Sequence, residues 1–175
     1  YTVAMTSFAA FNPGRNWDFL RTQIAMNELP VIIVGSHAGL ATGLDGGTHQ
    51  ALEDVALMRS IPHMTVLSPL DSTEAARMSV QAIKDKKPVY LRLAREKTPL
   101  LTTTKTPLKE GKSVQLLKGT DITIMTTGIT AYEALTAAKK LWKEGRISAS
   151  VVHHGSLKPF DETAVKKAAE GKLII

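Results

Sequence analysis

His37, Asp45, Thr48 and His49 crowd one stretch, residues 31–54, which reads VIIVGSHAGLATGLDGGTHQALED. Imidazoles donate hydrogen bonds to phosphate or hydroxyl oxygens, and an aspartate accepts from a sugar hydroxyl. Together these side chains suit a polyhydroxylated, phosphorylated substrate. A metal is the poorer match, because the spacings do not follow compact zinc motifs and the chain has no cysteine. The residues also allow a plain alternative, in which Asp45-Gly46 makes a turn and His49 caps a helix, so the stretch alone leaves both open. Arg95 directly follows an expected strand, at the carboxyl end where ligands gather. Phe8 and Phe11, three apart, read as core on spacing alone. His63 reads as a surface residue, and His153-His154 as structural or at a domain boundary. No nucleophile elbow, Walker loop or dinucleotide fingerprint is present.

The elements that hold these groups follow from the pattern. Val31, Ile32, Ile33 and Val34 form a continuous apolar run suited to a buried strand. Five glycines follow between Gly35 and Gly47. Leu52, Val55 and Ala56 then open a helix expected over 49–59, with His49 at its start, where backbone N–H groups favour anions. Ahead of this unit, Asn12-Pro13 predicts an N-cap and first helical position for a helix over 15–26 carrying Trp17, Leu20 and Ile24. Beyond it come a strand at 64–67, a capping box of Asp71 with Glu74, a helix to 86 with Ala76, Val80 and Ile83 inward, and a strand at 89–93. Residues 96–119, rich in Thr, Lys and Pro, read as a linker with a short strand at 113–117. A strand at 122–125 precedes a second capping box, Thr130 with Glu133, and a helix burying Ala131, Leu135, Ala138 and Trp142. A strand at 148–152, a helix at 162–169 and a strand at 173–175 complete the pattern. Alternating strands and helices predict an α/β fold with parallel sheets.

At 175 residues with 43% hydrophobic and 22% charged content, the chain has the make-up of an ordinary globular protein. No apolar run reaches membrane-span length and no signal peptide is visible; with cysteine absent, this fits a cytoplasmic protein. The net charge of +6 lies entirely after residue 96. It reads as solvated helix faces (Lys139, Lys140, Lys143, Lys166 and Lys167) rather than a nucleic-acid surface, because no aromatics interleave with the lysines. Tyr1 is no start methionine, and the chain stops at Lys172-Leu173-Ile174-Ile175 as if within a strand. The expectation is part of a longer polypeptide.

Residues 37–50, HAGLATGLDGGTHQ, resemble the transketolase signature H-x-x-x-G-x-G-x-D-G-x-T-H-Q. ALEDVALMRSIPHMTVLSPLDSTE, PVYLRLAREKTP at 88–99 and SLKPFDE at 156–162 extend the resemblance over nearly the whole chain. It is similar above all to the separate C-terminal subunit of split transketolases. The resemblance implies a thiamine-diphosphate-binding fold: residues 1–96 as most of a pyrimidine-binding domain, 97–119 as an interdomain linker, and 120–175 as the start of a smaller α/β C-terminal domain. It implies transfer of a two-carbon ketol unit from a ketose phosphate to an aldose phosphate. Phe8 and Phe11 would flank the aminopyrimidine, reversing their reading as core. His49 would be catalytic, and His37, Asp45 and Arg95 would bind substrate.

The same resemblance implies what this chain lacks. The family's cofactor-activating glutamate lies upstream of the FxxF element, before Tyr1 here. Mg²⁺ (or Ca²⁺) and the diphosphate would be held by an N-terminal, diphosphate-binding section or subunit, in a homodimer or heterotetramer. No metal ligand, nucleic acid or membrane partner is expected for this chain, which alone should be inactive. Leu44 and Gly14 depart from the Glu and Tyr common in the family, which leaves the sugar open. Two rivals share the fold. Deoxyxylulose-phosphate synthase usually carries Asp-Arg-Ala-Gly where this chain has Ser36-His37-Ala38-Gly39. A non-catalytic subunit would need none of His37, Asp45, His49 and Arg95.

Overall fold

Four strands pair side by side, the inner ones apolar enough to be covered on both faces and the first a more exposed edge strand. In the computed structural model, which describes residues 1–170 and 173–175, these are β1 (Val3–Phe8), β2 (Val31–Ser36), β3 (Thr65–Leu67) and β4 (Val89–Arg92). They form a parallel sheet in the order β1-β2-β4-β3. A fifth strand, β8 (Ser156–Lys158), adds antiparallel to β3 from the far end of the chain. The second sheet has the order β5-β7-β6-β9 and is built from β5 (Val114–Leu117), β6 (Ile122–Thr126), β7 (Ala149–His153) and β9 (Leu173–Ile174). Only β5 runs antiparallel in it. The parallel expectation therefore holds for the interiors, while an antiparallel strand lies at one edge of each sheet. The position of Lys172 lies outside the described residues. Among the described residues, no helix is long and apolar enough to cross a membrane.

Helices cover the sheets. They are α1 (Trp17–Phe19), running on as a π-helical turn over Leu20–Ala25, then α2 (Asp54–Ser60), α3 (Ser72–Asp85), α4 (Thr130–Gly145) and α5 (Glu162–Ala169). One face of the first sheet buries Ile33, Val66 and Tyr90 against Leu20, Met58 and Ile61, with Trp17 and Ile24 packed alongside. The other face buries Ile32, Val89 and Leu91 against Met78 and Ala82. Each fully buried side chain of this size stabilises by roughly 1.5–3 kcal/mol.

Several local expectations are corrected. Asn12 caps no helix: it is buried, and its amide donates to the Val34 carbonyl at 3.2 Å. The α2 helix begins at Asp54, not at His49. Ala51 forms a parallel bridge with Ala38, which keeps the chain there out of a helix, and His49 sits in a turn with its N–H bonded to the Gly46 carbonyl rather than at a helix end. Leu52 is consequently exposed, and α2 turns Asp54 and Met58 inward. On α3 the inward residues are Glu74, Met78 and Ala82, while Ala76, Val80 and Ile83 face outward. The apolar periodicity misleads there because the buried face includes a carboxylate. Thr130 and Glu133 make no capping box; the Thr130 hydroxyl donates instead to the Thr127 carbonyl at 2.7 Å. Trp142 is exposed, and Ala134 takes the buried place on α4.

The Asp71 cap of α3 does form. Its Oδ1 accepts from the Glu74 N–H at 2.8 Å, while Glu74 reaches back one residue further than expected, to the Leu70 N–H. Asp71 Oδ2 also accepts from the N–H groups of Leu101 and Thr102, so this part of residues 96–119 is fastened to the start of α3, while 114–117 join the second sheet as β5. Burial alone would raise the Asp71 pKa. The N–H of Glu74, with Thr102 and Leu101, outweighs that and holds the carboxyl below its ordinary value.

Candidate active site

The site grows from the carboxyl ends of β1 and β2, which stand in parallel register with Phe8 opposite Ser36. The next residue, His37, turns the chain with φ +54°, a conformation uncommon for a residue with a side chain. Its ring stacks on Phe8 with centroids 4.0 Å apart. Phe11 lies parallel to Phe8 at 6.1 Å, and His49 comes edge-on to both, at 5.7 and 5.1 Å. All four rings are half-buried. The structure thus gathers Phe8, Phe11, His37 and His49 into one wall, although the phenylalanines and His49 are some forty residues apart in sequence.

Two hydroxyls orient the imidazoles. Ser36 Oγ lies 3.2 Å from His37 Nδ1 and Thr48 Oγ1 lies 2.8 Å from His49 Nδ1. In His49 this leaves Nε2 available to a ligand.

Asp45 and Arg95 form a second group beside the wall. Arg95 Nη1 lies 3.5 Å from Asp45 Oδ2, and both side chains are more than a third exposed. An ion pair this open to water contributes roughly 0–1 kcal/mol, so either partner is readily redirected to a ligand. Thr42 joins the two groups. It is fully buried, its hydroxyl donates to the His37 carbonyl or the Gly39 carbonyl, and its own carbonyl accepts from Arg95 at 2.5 Å. Neither Thr42 nor Arg15, whose guanidinium lies 4.4 Å from the centre of the Phe11 ring, is picked out by the sequence. A threonine inside a glycine-rich loop carries no periodic signal, and Arg15 is one exposed cation among many.

The ring wall fits a planar heteroaromatic group, and its polar atoms are imidazole nitrogens. Among the described residues, no group of three or more His, Asp or Glu side chains is placed to hold a metal ion.

Residues 1–99 match the family described as the transketolase pyrimidine binding domain, and residues 111–175 match the transketolase C-terminal domain. The chain belongs to the transketolase family. A 6-deoxy-6-sulfo-D-fructose transketolase subunit of Clostridium sp. (strain MSTE9) is 40% identical over 163 residues, covering 93% of this chain and 50% of that protein. An apulose-4-phosphate transketolase subunit of Phocaeicola vulgatus is 34% identical over 169 residues, covering 95% of this chain and 54% of that protein. A split-gene transketolase, solved as an inactive β4 tetramer, superposes with a TM-score of 0.84 at 36% identity, over 97% of this chain and 53% of that one. This transketolase-family chain therefore spans about half the length of these three relatives. His63 stands outside the site, half-exposed and 3.8 Å from Glu28, and His153 and His154 are buried between the two sheets.

Proposed function

We propose that this chain is the pyrimidine-side section of a thiamine-diphosphate-dependent transketolase, transferring a two-carbon ketol unit from a ketose phosphate to an aldose phosphate. The observation that carries this reading is the ring wall of Phe8, Phe11, His37 and His49 standing beside the Asp45–Arg95 pair. In this reading residues 1–96 form the pyrimidine-binding domain, 97–119 the linker and 120–175 the start of the C-terminal domain. A partner section supplies the diphosphate and Mg²⁺ ligands. The relatives' subunit names, and a span of about half their length, support such a partner.

Thiamine diphosphate, when bound, supplies the carbon nucleophile and the electron sink for breaking a carbon–carbon bond next to a carbonyl. The residues of this chain do the rest on their side of the site. Phe8 and Phe11 offer ring faces to the aminopyrimidine and keep water from it. His49 Nε2 gives or takes a proton at the substrate hydroxyl oxygen. Asp45 accepts from a hydroxyl near the sugar carbonyl. Arg95 and His37 meet the phosphate, Arg95 through a guanidinium suited to paired contacts with an oxyanion.

The test is a ketol-transfer assay on the intact gene product with thiamine diphosphate, Mg²⁺, xylulose 5-phosphate and ribose 5-phosphate, with and without a candidate partner chain. Activity that needs the partner and is lost in His49→Ala is the expected result. Absence of cofactor binding in every combination overturns the reading.

A further inference from the structure

Asp54 is an unexpected residue to find at the inward start of α2. It is 2% exposed; its Oδ2 accepts from the Tyr90 hydroxyl at 2.7 Å and from Arg92 Nε at 2.8 Å, and its Oδ1 has no hydrogen-bond partner. A carboxylate buried with one oxygen unmatched is poor design for stability alone, since apolar side chains of the same volume do as well or better. Its value has to lie in what it holds.

It holds the floor of the loop. Tyr90 and Arg92 stand on β4, two residues apart, while Asp54 opens α2, so the carboxylate ties the strand under the loop to the helix after it. The Tyr90 hydroxyl fills the space beside Gly35, where an added Cβ would collide with it. Burial, reinforced by the charge of Asp54, pushes that phenol's pKa well up, so it stays a donor. An Arg92 Nη2 lies 3.1 Å from where a Cβ on Gly39 would stand, under a backbone with φ +80° that favours glycine. The same two segments are stapled just above by backbone bonds, Ala38 N–H to Leu93 and Gly39 N–H to Ala51. Gly39 in turn accepts from the Thr42 hydroxyl at 2.9 Å, and Thr42 receives Arg95.

We propose that Asp54, Arg92 and Tyr90 are positioning residues that set the spacing between the His37–Asp45 arm of the loop and the His49 arm. Their side chains are engaged with one another beneath the loop, and the proposed function gives none of them a contact with substrate or cofactor. Phe8 and Phe11 hang from β1 and its following turn, outside the cluster, so the cluster reaches them only through His37 and His49 and acts first on the substrate side of the site. The proposal rests on the transketolase reading for its kinetic consequence, but its structural consequence stands without it.

The experiment uses the intact gene product assembled with its partner section, comparing wild type with Arg92→Met, Arg92→Lys, Asp54→Asn and Tyr90→Phe. Three readouts are taken: kcat and KM for the acceptor aldose phosphate, thiamine diphosphate affinity by fluorescence quenching, and amide hydrogen exchange over residues 37–52. Arg92→Met is expected to lower kcat/KM by about 100-fold, mostly through a raised acceptor KM, because a displacement of the order of an ångström has that effect. Cofactor affinity falls far less than acceptor affinity, since Phe8 and Phe11 are carried by β1 and its turn and not by the loop. Exchange quickens across 37–52 and not in β1, and Arg92→Lys recovers part of both losses. An unchanged KM together with unchanged exchange in folded Arg92→Met overturns the proposal and leaves the cluster a merely structural one. If Arg92→Met does not fold, Arg92→Lys and Tyr90→Phe decide by the same criteria. If wild type transfers no ketol unit, the functional reading fails while the exchange pattern still tests the positioning role.

Discussion

The junction between the sheets and the glycine loop use the same kinds of side chain in opposite surroundings. At the junction, Glu74 on α3 meets His153 at the end of β7 at 2.9 Å, with side chains 4% and 1% exposed. In the loop, Asp45 meets Arg95 at 3.5 Å, with side chains 38% and 39% exposed. The buried pair is closed off from solvent, and Glu74 is further committed to the Leu70 N–H. The open pair is screened, weak and exchangeable. Burial turns such a pair into a structural joint, and exposure leaves it free to bind.

The largest expected effect is at the junction. Glu74→Ala strands a buried imidazole and a buried N–H, and should cost about 1–3 kcal/mol for each of the two in urea unfolding of the intact protein. A loss below the noise of that measurement would erase the distinction between the two regions. Asp71→Ala removes the α3 cap and the anchor of residues 101–102 together. It should cost about 1–3 kcal/mol and speed proteolysis within 96–119.

A pH series sharpens the comparison. Burial, then the nearby His153, lowers the His154 pKa from its ordinary 6.5, against a smaller raising effect of Asp161. His154 stacks on Phe160 at 4.6 Å, and neither of its ring nitrogens has a hydrogen-bond partner. A histidine with a depressed folded-state pKa binds its proton more readily when unfolded, so stability falls as pH drops below 6.5 until the folded-state value is passed. His154→Phe should flatten that part of the curve. The depressed pKa of Asp71 works in the same direction at lower pH: its contribution is present above 3.8 and lost as pH falls through the folded-state value.

The smallest stability effect belongs to the loop. Asp45→Asn and Arg95→Met should each shift unfolding by no more than about 1 kcal/mol. Arg95→Met should nevertheless raise the acceptor KM about tenfold or more, the worth of a charge-assisted bond to phosphate. A large stability loss with an unchanged KM would make the loop a second structural joint and break the contrast.

Much of the site is legible without any coordinates. His37, Asp45 and His49 stand out as polar residues in a glycine-rich loop after a strand, and Arg95 as a cation at a strand's carboxyl end. Thr42 does not stand out, because its role depends on being enclosed by the loop it braces. Asp54 and Arg92 are not picked out by the sequence either, because only the fold buries one against the other. The start of α2 escapes the local pattern for a related reason: the Ala38–Ala51 bridge joins residues thirteen apart, and local propensity does not register it.

By itself, the sequence determined the order of the strands and helices from β2 to α5 apart from β8, because apolar runs, turn residues and the Asp71 cap act over a few residues; it showed no strand at β1. It also determined which loop carries the polar groups. The tertiary structure alone decided which face of α3 is buried, since that turns on a glutamate whose partner, His153, lies seventy-nine residues away. It alone placed β8 on the first sheet, because a three-residue strand has too little pattern of its own and is selected by the free edge of β3. And it alone set two phenyl rings against two imidazoles, since side chains from separate segments meet only when the sheet has brought their strands into register.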